Sequence, residues 1–262
     1  MSVIARPRAL VARPAGRADE LASALRGHGL DPVHVPAIEI LPAAPDGDLD
    51  YALARVEPAQ LVILTSANAA RSTLDACARI DLDPLMLRWA AIGEETVDAL
   101  LELGIEDFFV PSVANAEILA AELRLDRRDA VLLPRADIGD SVLPGVLRAR
   151  GVRVTEAVAY ETHEAPESSR ELLAGAFADG RIEIVVLTSA SSARGLVALA
   201  QDPGVRTRLL ALPVIASGRT TAATAIEEGF ATVVISPAPD AASLAESAAT
   251  SLGLTPLPGD PR

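Results

Sequence analysis

The chain has 262 residues, half of them apolar but only 3% aromatic, with a formal net charge of −13 and a single cysteine. That balance excludes an intrachain disulfide and a thiolate metal cluster, and it argues against a nucleic-acid partner, which would need a basic face to displace counterions. It favours an aliphatic core of the α/β kind, and a prior of roughly 150 residues per domain leaves one large domain or two small ones.

The first stretch, "MSVIARPRALVARP" (1–14), has no apolar run long enough for a secretory leader, and no later stretch approaches 18 apolar residues. A cytoplasmic protein with no membrane contact is expected. Short aliphatic runs at 9–12, 61–64, 89–92, 107–110, 130–133, 183–187, 213–216 and 232–235 read as buried strands. Helical patterns follow them, and Gly29, Gly104, Gly151 and Gly229 stand where a left-handed residue closes a helix. Such alternation implies parallel sheets with right-handed crossovers. Cys77 falls in an apolar-periodic stretch and reads as a buried thiol, while "RLDRRD" (124–129) reads as a solvated helix end. His28, His34 and His163 are too scattered to form a local metal motif, and "PLPGDPR" (256–262) reads as an unstructured end.

Two extended segments, "VHVPAIEILP" (33–42) and "VRVTEAVAYETHEAP" (152–166), are longer than a typical strand of 5–6 residues. They read as strands that leave one domain for another and pair as an antiparallel connector. The boundaries that follow are 1–36 with 165–262 for one domain, 42–155 for the other, and 37–41 with 156–164 for the connector.

The chain repeats itself. "VILTSANAAR" (62–71) aligns with "VVLTSASSAR" (185–194), "AAIGEETVDALLELG" (90–104) with "IASGRTTAATAIEEG" (215–229), and "LVARPAGRADELASALRGHG" (10–29) with "LLPRADIGDSVLPGVLRARG" (132–151). The last pair sets Arg13 on Arg135. Two related α/β units of about five strands each are implied.

In such sheets ligands collect beyond the carboxyl ends of strands, where helix N-termini offer backbone N–H groups. Four turns occupy that location: Thr65–Ser66 with Asn68, Thr188–Ser189 with Ser191, Gly93 to Thr96, and Gly218 to Thr221 with Thr220. Each supplies hydroxyls and amides without fixed charge. Helix capping alone would explain any one of them; four in matched positions fit a surface for a multiply anionic ligand in a shared cleft. Phosphate-loop, GxGxxG, GxSxG and HExxH signatures are missing. Tyr160, one of two tyrosines, lies in the second extended segment, where a phenol can donate a hydrogen bond without carrying charge; a merely packed tyrosine is the competing reading.

In order and spacing, "VARP", "HVPAIEILP", "LVILTSANA", "AAIGEETVDAL", "VLLPRADIGDSVL", "AVAYET", "VVLTSASSA", "IASGRTTAATAIEEG" and "SPAPDAASLAE" resemble the uroporphyrinogen-III synthase family over nearly the whole chain. The resemblance implies two flavodoxin-like domains with parallel sheets, joined by a two-stranded antiparallel connector. It also implies a cofactor-free carbon–oxygen lyase that cyclises hydroxymethylbilane, a linear tetrapyrrole with eight carboxylates, and inverts ring D. Tyr160 matches the family's connector tyrosine, a candidate to assist departure of the hydroxyl. Thr96, Thr221, Ser66 and Ser189 match residues that hold the carboxylates, with Arg13 and Arg135 as further ligand candidates. Val97, where alanine is commoner, and Arg219 depart from the pattern. A monomer without metal is expected. A non-catalytic two-lobed binding protein for an anionic metabolite is the alternative that the residues leave open; a nucleotide binder is disfavoured by the missing phosphate-loop glycines.

Overall fold

Runs such as Leu61–Leu64, with four aliphatic side chains and no polar one, are buried on both sides, the pattern of a central parallel strand. The computed structural model describes residues 6–14, 18–139, 141–178 and 181–254; the Pro/Gly-rich end at 256–262 lies outside them. In chain order, β1 (Arg8–Val11), α1 (Asp19–Gly27), β2 (Asp31–His34) and β3 (Ile38–Pro42) come first. They are followed by α2 (Asp48–Leu53), β4 (Leu61–Leu64), α3 (Ala67–Arg79), β5 (Arg88–Ala91), α4 (Glu94–Glu102), β6 (Phe108–Phe109) and α5 (Ala116–Glu122). Next are β7 (Ala130–Ala136), α6 (Val142–Ala149), β8 (Arg153–Glu164), α7 (Arg170–Ala178), β9 (Ile182–Leu187) and α8 (Ala190–Leu199). The last elements are α9 (Pro203–Leu210), β10 (Pro213–Ala216), α10 (Arg219–Glu227), β11 (Thr232–Ile235) and α11 (Ala241–Ser251).

The chain divides into two compact units, one of Met1–Glu39 with His163–Arg262 and one of Ile40–Thr162. In the split unit the sheet order is β2-β1-β9-β10-β11, with every neighbour parallel. Leu21, Leu25, Leu244 and Ala248 of α1 and α11 cover one face, against Ala9, Val11, Ile184 and Ile215. Leu173, Phe177, Leu196 and Ala225 cover the other, against Leu10, Val185, Leu187 and Val214. Each fully buried leucine of this kind contributes about 1.5–3 kcal/mol relative to exposure.

The contiguous unit repeats the plan. β8-β7-β4-β5-β6 are neighbours and parallel. α2, α3 and α4 lie on one face and α5 and α6 on the other. Under the sequence repeat β1 corresponds to β7, β2 to β8, β9 to β4, β10 to β5 and β11 to β6, so both sheets carry equivalent strands in the same order. The duplication is therefore visible in topology as well as in sequence. β3 adds to the far side of β8; the Ala43 N–H donates to the Ala159 carbonyl and the Ala165 N–H to the Ala37 carbonyl, both at 2.9 Å.

Three sequence expectations change in detail. Residues 33–42 form two strands, one ending at His34 and the next starting at Ile38; the Val35 and Ala37 N–H groups still donate to the Val11 and Ala12 carbonyls, and Pro36 between them faces away from β1, on the open edge where a missing N–H costs no ladder bond. The run at 107–110 pairs only at Phe108–Phe109. α5 ends at Glu122, so "RLDRRD" is the loop after the helix rather than its end, with Arg124, Arg127 and Arg128 exposed. Residues 153–164 form one unbroken strand. Cys77 is buried in α3. Among the described residues no helix is long and apolar enough to cross a membrane.

The two copies are not interchangeable everywhere. A Cβ on Gly195 of α8 would fall 2.1 Å from the Ala37 carbonyl oxygen; only glycine lets the helix approach so closely. The matched residue in α3 is Ser72, a buried side chain.

Candidate functional site

β4 and β7 are neighbours whose following helices pack on opposite faces of the sheet, α3 on one and α6 on the other. The chain therefore departs in two directions from adjacent carboxyl ends and leaves a crevice between them, the place where open α/β sheets bind ligands. A cavity of about 290 Å³ opens there, lined among others by Thr65, Ser66, Ile92, Asn115, Arg135 and Tyr160.

Thr65 and Ser66 follow β4 directly. Ser66 has extended backbone and caps α3, its Oγ accepting from the Ala69 N–H at 3.1 Å. The same hydroxyl donates to the Tyr160 phenol oxygen at 3.2 Å. Its single proton is thereby committed, and the phenol's own proton is left to donate elsewhere. Tyr160 is half-buried and packs against the apolar cluster that includes Leu64, Ala157 and Ala159. The β7–β8 register shifts beside it: Arg135 pairs with Val158, but Ala136 pairs with Tyr160. Bulges of this kind redirect side chains near sites.

Arg135 is the cationic side chain of the cavity lining. It forms an ion pair with Glu156, which Arg148 also contacts at 2.8 Å. Burial pushes the Glu156 carboxyl up, but the hydrogen bonds from Arg148 and Arg135 outweigh it and hold the group below the ordinary carboxylate range. The guanidinium lies against Gly139, where a Cβ would come within 2.5 Å of it. Asn68 sits in the first turn of α3, and Gly93, at φ +87°, opens α4, whose Thr96 is buried.

The equivalent corner of the split unit follows β9. Ser189 caps α8 by accepting from the Ser192 N–H at 3.1 Å, and its Oγ lies 3.1 Å from Ser191 Oγ and 2.7 Å from Ser192 Oγ. Ser217 donates to the Thr188 carbonyl at 3.0 Å and sits 3.4 Å from the buried Thr221 Oγ1. Gly218 precedes α10 with extended backbone, and Thr220 is exposed. Arg13 follows β1, its carbonyl oxygen 2.8 Å from His34 Nε2. The structure thus gathers Thr65, Ser66, Arg135 and Tyr160 in one cavity and Thr188, Ser189, Ser191 and Thr221 in one corner of hydroxyls. Thr96 and Thr221 are 2% and 5% exposed, so little of either side chain is presented to solvent. Among the described residues no group of three His, Cys, Asp or Glu side chains is placed to hold a metal ion.

The family model described as uroporphyrinogen-III synthase HemD matches residues 19–246. The chain belongs to the uroporphyrinogen-III synthase family. It is 27% identical over 198 residues to the porphyrin biosynthesis protein HemD of Ruminiclostridium josui, covering 74% of this chain but only 39% of that protein's length. It is 25% identical over 194 residues to the uroporphyrinogen-III synthase of Synechococcus elongatus, covering 72% of this chain and 73% of that one. Its fold is similar to a crystal structure of a mutant uroporphyrinogen III synthase from Thermus thermophilus, with a TM-score of 0.63 and 22% identity over 94% of this chain and 99% of the other. The uroporphyrinogen-III synthetase of Helicobacter pylori gives a TM-score of 0.61 at 19% identity, over 94% and 99% of the two chains.

Within this uroporphyrinogen-III synthase family member, sequence reasoning missed Asn115, Glu156, Gly139 and Asp137. Asn115 caps α5 through the Glu117 and Ile118 N–H groups and lines the cavity; its place before an apolar run was a readable cap signal. Glu156 had no such signal, because its partnership with Arg135 exists only across paired strands.

Proposed function

We propose that the protein is a uroporphyrinogen-III synthase: it converts hydroxymethylbilane to uroporphyrinogen III with loss of water and inversion of ring D, in tetrapyrrole biosynthesis. The reading includes two flavodoxin-like domains, 1–36 with 165–262 and 42–155. The strand order β2-β1-β9-β10-β11 and its counterpart in the other unit support that assignment. It includes β3 and β8 as a two-stranded antiparallel connector (37–41 and 156–164), since the hydrogen bonds pair Ala43 with Ala159 and Ala37 with Ala165, forward along one strand and backward along the other. The protein acts as a cytoplasmic monomer and without a cofactor.

The observation that carries the reading is the Ser66–Tyr160 hydrogen bond at the mouth of the β4/β7 crevice. The phenol proton, not used within the protein by Ser66, goes to the substrate's hydroxyl as it departs as water. Ser66 then stabilises the phenolate oxygen by the bond it already makes. The azafulvenium cation so formed is attacked by the substituted carbon of ring D, the resulting spiro pyrrolenine opens and recloses, and the proton that ring D loses on the final closure returns to the phenolate. Ring closure without inversion needs no catalyst, so the enzyme's task is to fix one substrate shape, a positioning problem. Arg135, Thr65, Ser66 and Asn68, with Gly93 and Thr96 at the start of α4, hold carboxylates in the contiguous unit. Arg13, Thr188, Ser189, Ser191, Gly218, Thr220 and Thr221 do so in the split unit. Helix-end contacts each supply about 0.3–1 kcal/mol, which allows a net acidic protein to bind a poly-acid by local donors.

The test is turnover of hydroxymethylbilane by the purified protein with no added cofactor, followed by chromatographic separation of isomers. Type III product is expected; type I alone would remove the proposal.

A further inference from the structure

The backbone around Tyr160 is irregular, and one side chain of β7's closing turn bonds β8 just beyond it. Along the β7–β8 ladder the pairs advance one for one from Ala130 with Arg153 to Arg135 with Val158, and the next pair is Ala136 with Tyr160, passing over Ala159. A regular ladder would set Ala159 beside Ala136. Because strand side chains alternate, a slip of one residue turns every following side chain to the opposite face. At this point a slip would carry the phenol away from Ser66. The 3.2 Å bond between Ser66 and the phenol is a single contact at the end of a long side chain and cannot set strand register.

Asp137 can. β7 ends in a turn closed by the Gly139 N–H on the Ala136 carbonyl at 3.1 Å, with Asp137 at its first corner. From there Asp137 binds β8 twice. Its N–H donates to the Tyr160 carbonyl at 3.1 Å, and its Oδ1 accepts from the Thr162 N–H at 3.0 Å. The carboxylate thus takes over as hydrogen-bond partner where the β7 backbone has turned away.

We propose that Asp137 is a positioning residue for Tyr160, holding the bulged register of β8 so that the phenol meets Ser66 and faces the cavity. The proposal rests on the reading that Tyr160 acts on the substrate. Asp137 itself touches no reacting atom. A purely structural turn residue would change stability and leave the chemistry of Tyr160 alone, and this difference decides the test.

Asp137→Ala removes the acceptor, whereas Asp137→Asn keeps an oxygen facing the Thr162 amide. Asp137→Ala is expected to lower kcat roughly 10- to 100-fold with little change in KM, and Asp137→Asn to retain most of the rate. Adding Asp137→Ala to Tyr160→Phe should cost nothing further. With 13C-labelled tyrosine, the chain's two tyrosines give separable ring signals. That of Tyr160 should move in Asp137→Ala, while that of the exposed Tyr51 should stay. Equal losses in the wild-type and Tyr160→Phe backgrounds, an Asn variant as slow as the Ala variant, or an unmoved Tyr160 signal would each overturn the proposal. The ring signal is read without substrate, so failure of the positioning role and failure of the synthase assay are separate results.

Discussion

The hydroxyl of Ser66 caps α3 and also reaches the phenol oxygen of Tyr160, 94 residues further along the chain. One oxygen serves both a helix end and a candidate catalytic group, and substitution can separate the two roles. Ser66→Ala should lose about 0.5–2 kcal/mol of stability through the lost cap and also slow turnover. Ser66→Asp should recover the stability, because a carboxylate caps as well as serine, yet leave turnover slow, because it cannot donate to the phenol. Urea denaturation and steady-state rates on the same preparations check both halves.

Gly93 and Gly218 occupy matched places in the repeat, but their backbones differ. Gly93 has φ +87° and ψ 148°, a region close to glycine-only, while Gly218 is fully extended at φ −174°, with no atom within 4 Å of where a Cβ would stand. Gly93→Ala should therefore cost about 1–3 kcal/mol, and Gly218→Ala should change stability by less than about 1 kcal/mol in either direction. Thermal melting of the two single variants reads the contrast; equal losses would refute it.

Asp50 links α2 to α3 by accepting from Arg79 Nη2 at 2.6 Å and Nε at 3.3 Å, and from the Asp46 N–H at 2.9 Å. The Arg79 hydrogen bond, working against burial, holds the Asp50 carboxyl below its ordinary value, with the Asp46 amide and the charge of Arg79 adding to it. A carboxyl lowered on folding contributes stability that is fully present above its unfolded value of about 3.9 and is lost as pH falls through the folded value. Asp50→Asn should cost about 1–3 kcal/mol at neutral pH, and the gap from wild type should close below about pH 4. Denaturation curves measured from pH 7 to pH 3 test the sign.

Burial pushes the Cys77 thiol up to about 11. Native protein should therefore resist a thiol-modifying reagent at pH 8, with full modification appearing only in denaturant. Rapid native labelling would contradict the buried placement.

Much of the fold was readable because its signals are local. Runs such as Leu61–Leu64 and Val214–Ala216 carry no polar residue, and the doubled Thr-Ser corners mark the strand ends that precede α3 and α8. Those corners also pointed to Ser66, and the scarcity of tyrosine pointed to Tyr160. The division of 33–42 was hidden because it depends on two different partners, β1 for the residues up to Ala37 and β8 for those that follow. Arg135 stood out as the match of Arg13 in the repeat, but its ion pair with Glu156, made across two strands, did not. The bulge at Tyr160 and the reach of Asp137 to Thr162 had no trace in composition or spacing, since register is a property of two strands together. The same is true of Asp50 and Arg79, 29 residues apart.

The order of strands in the split unit has a consequence for biosynthesis on the ribosome. β1 sits between β2 and β9, so the middle of that sheet stays open until residue 187 has emerged. The contiguous unit, Ile40–Thr162, has all its strands earlier. Nascent chain will complete the internal unit first, while the amino-terminal segment waits with its apolar strand uncovered. Stalling translation before β9 should strand that segment as a target for chaperones, although it is made before the unit that closes ahead of it.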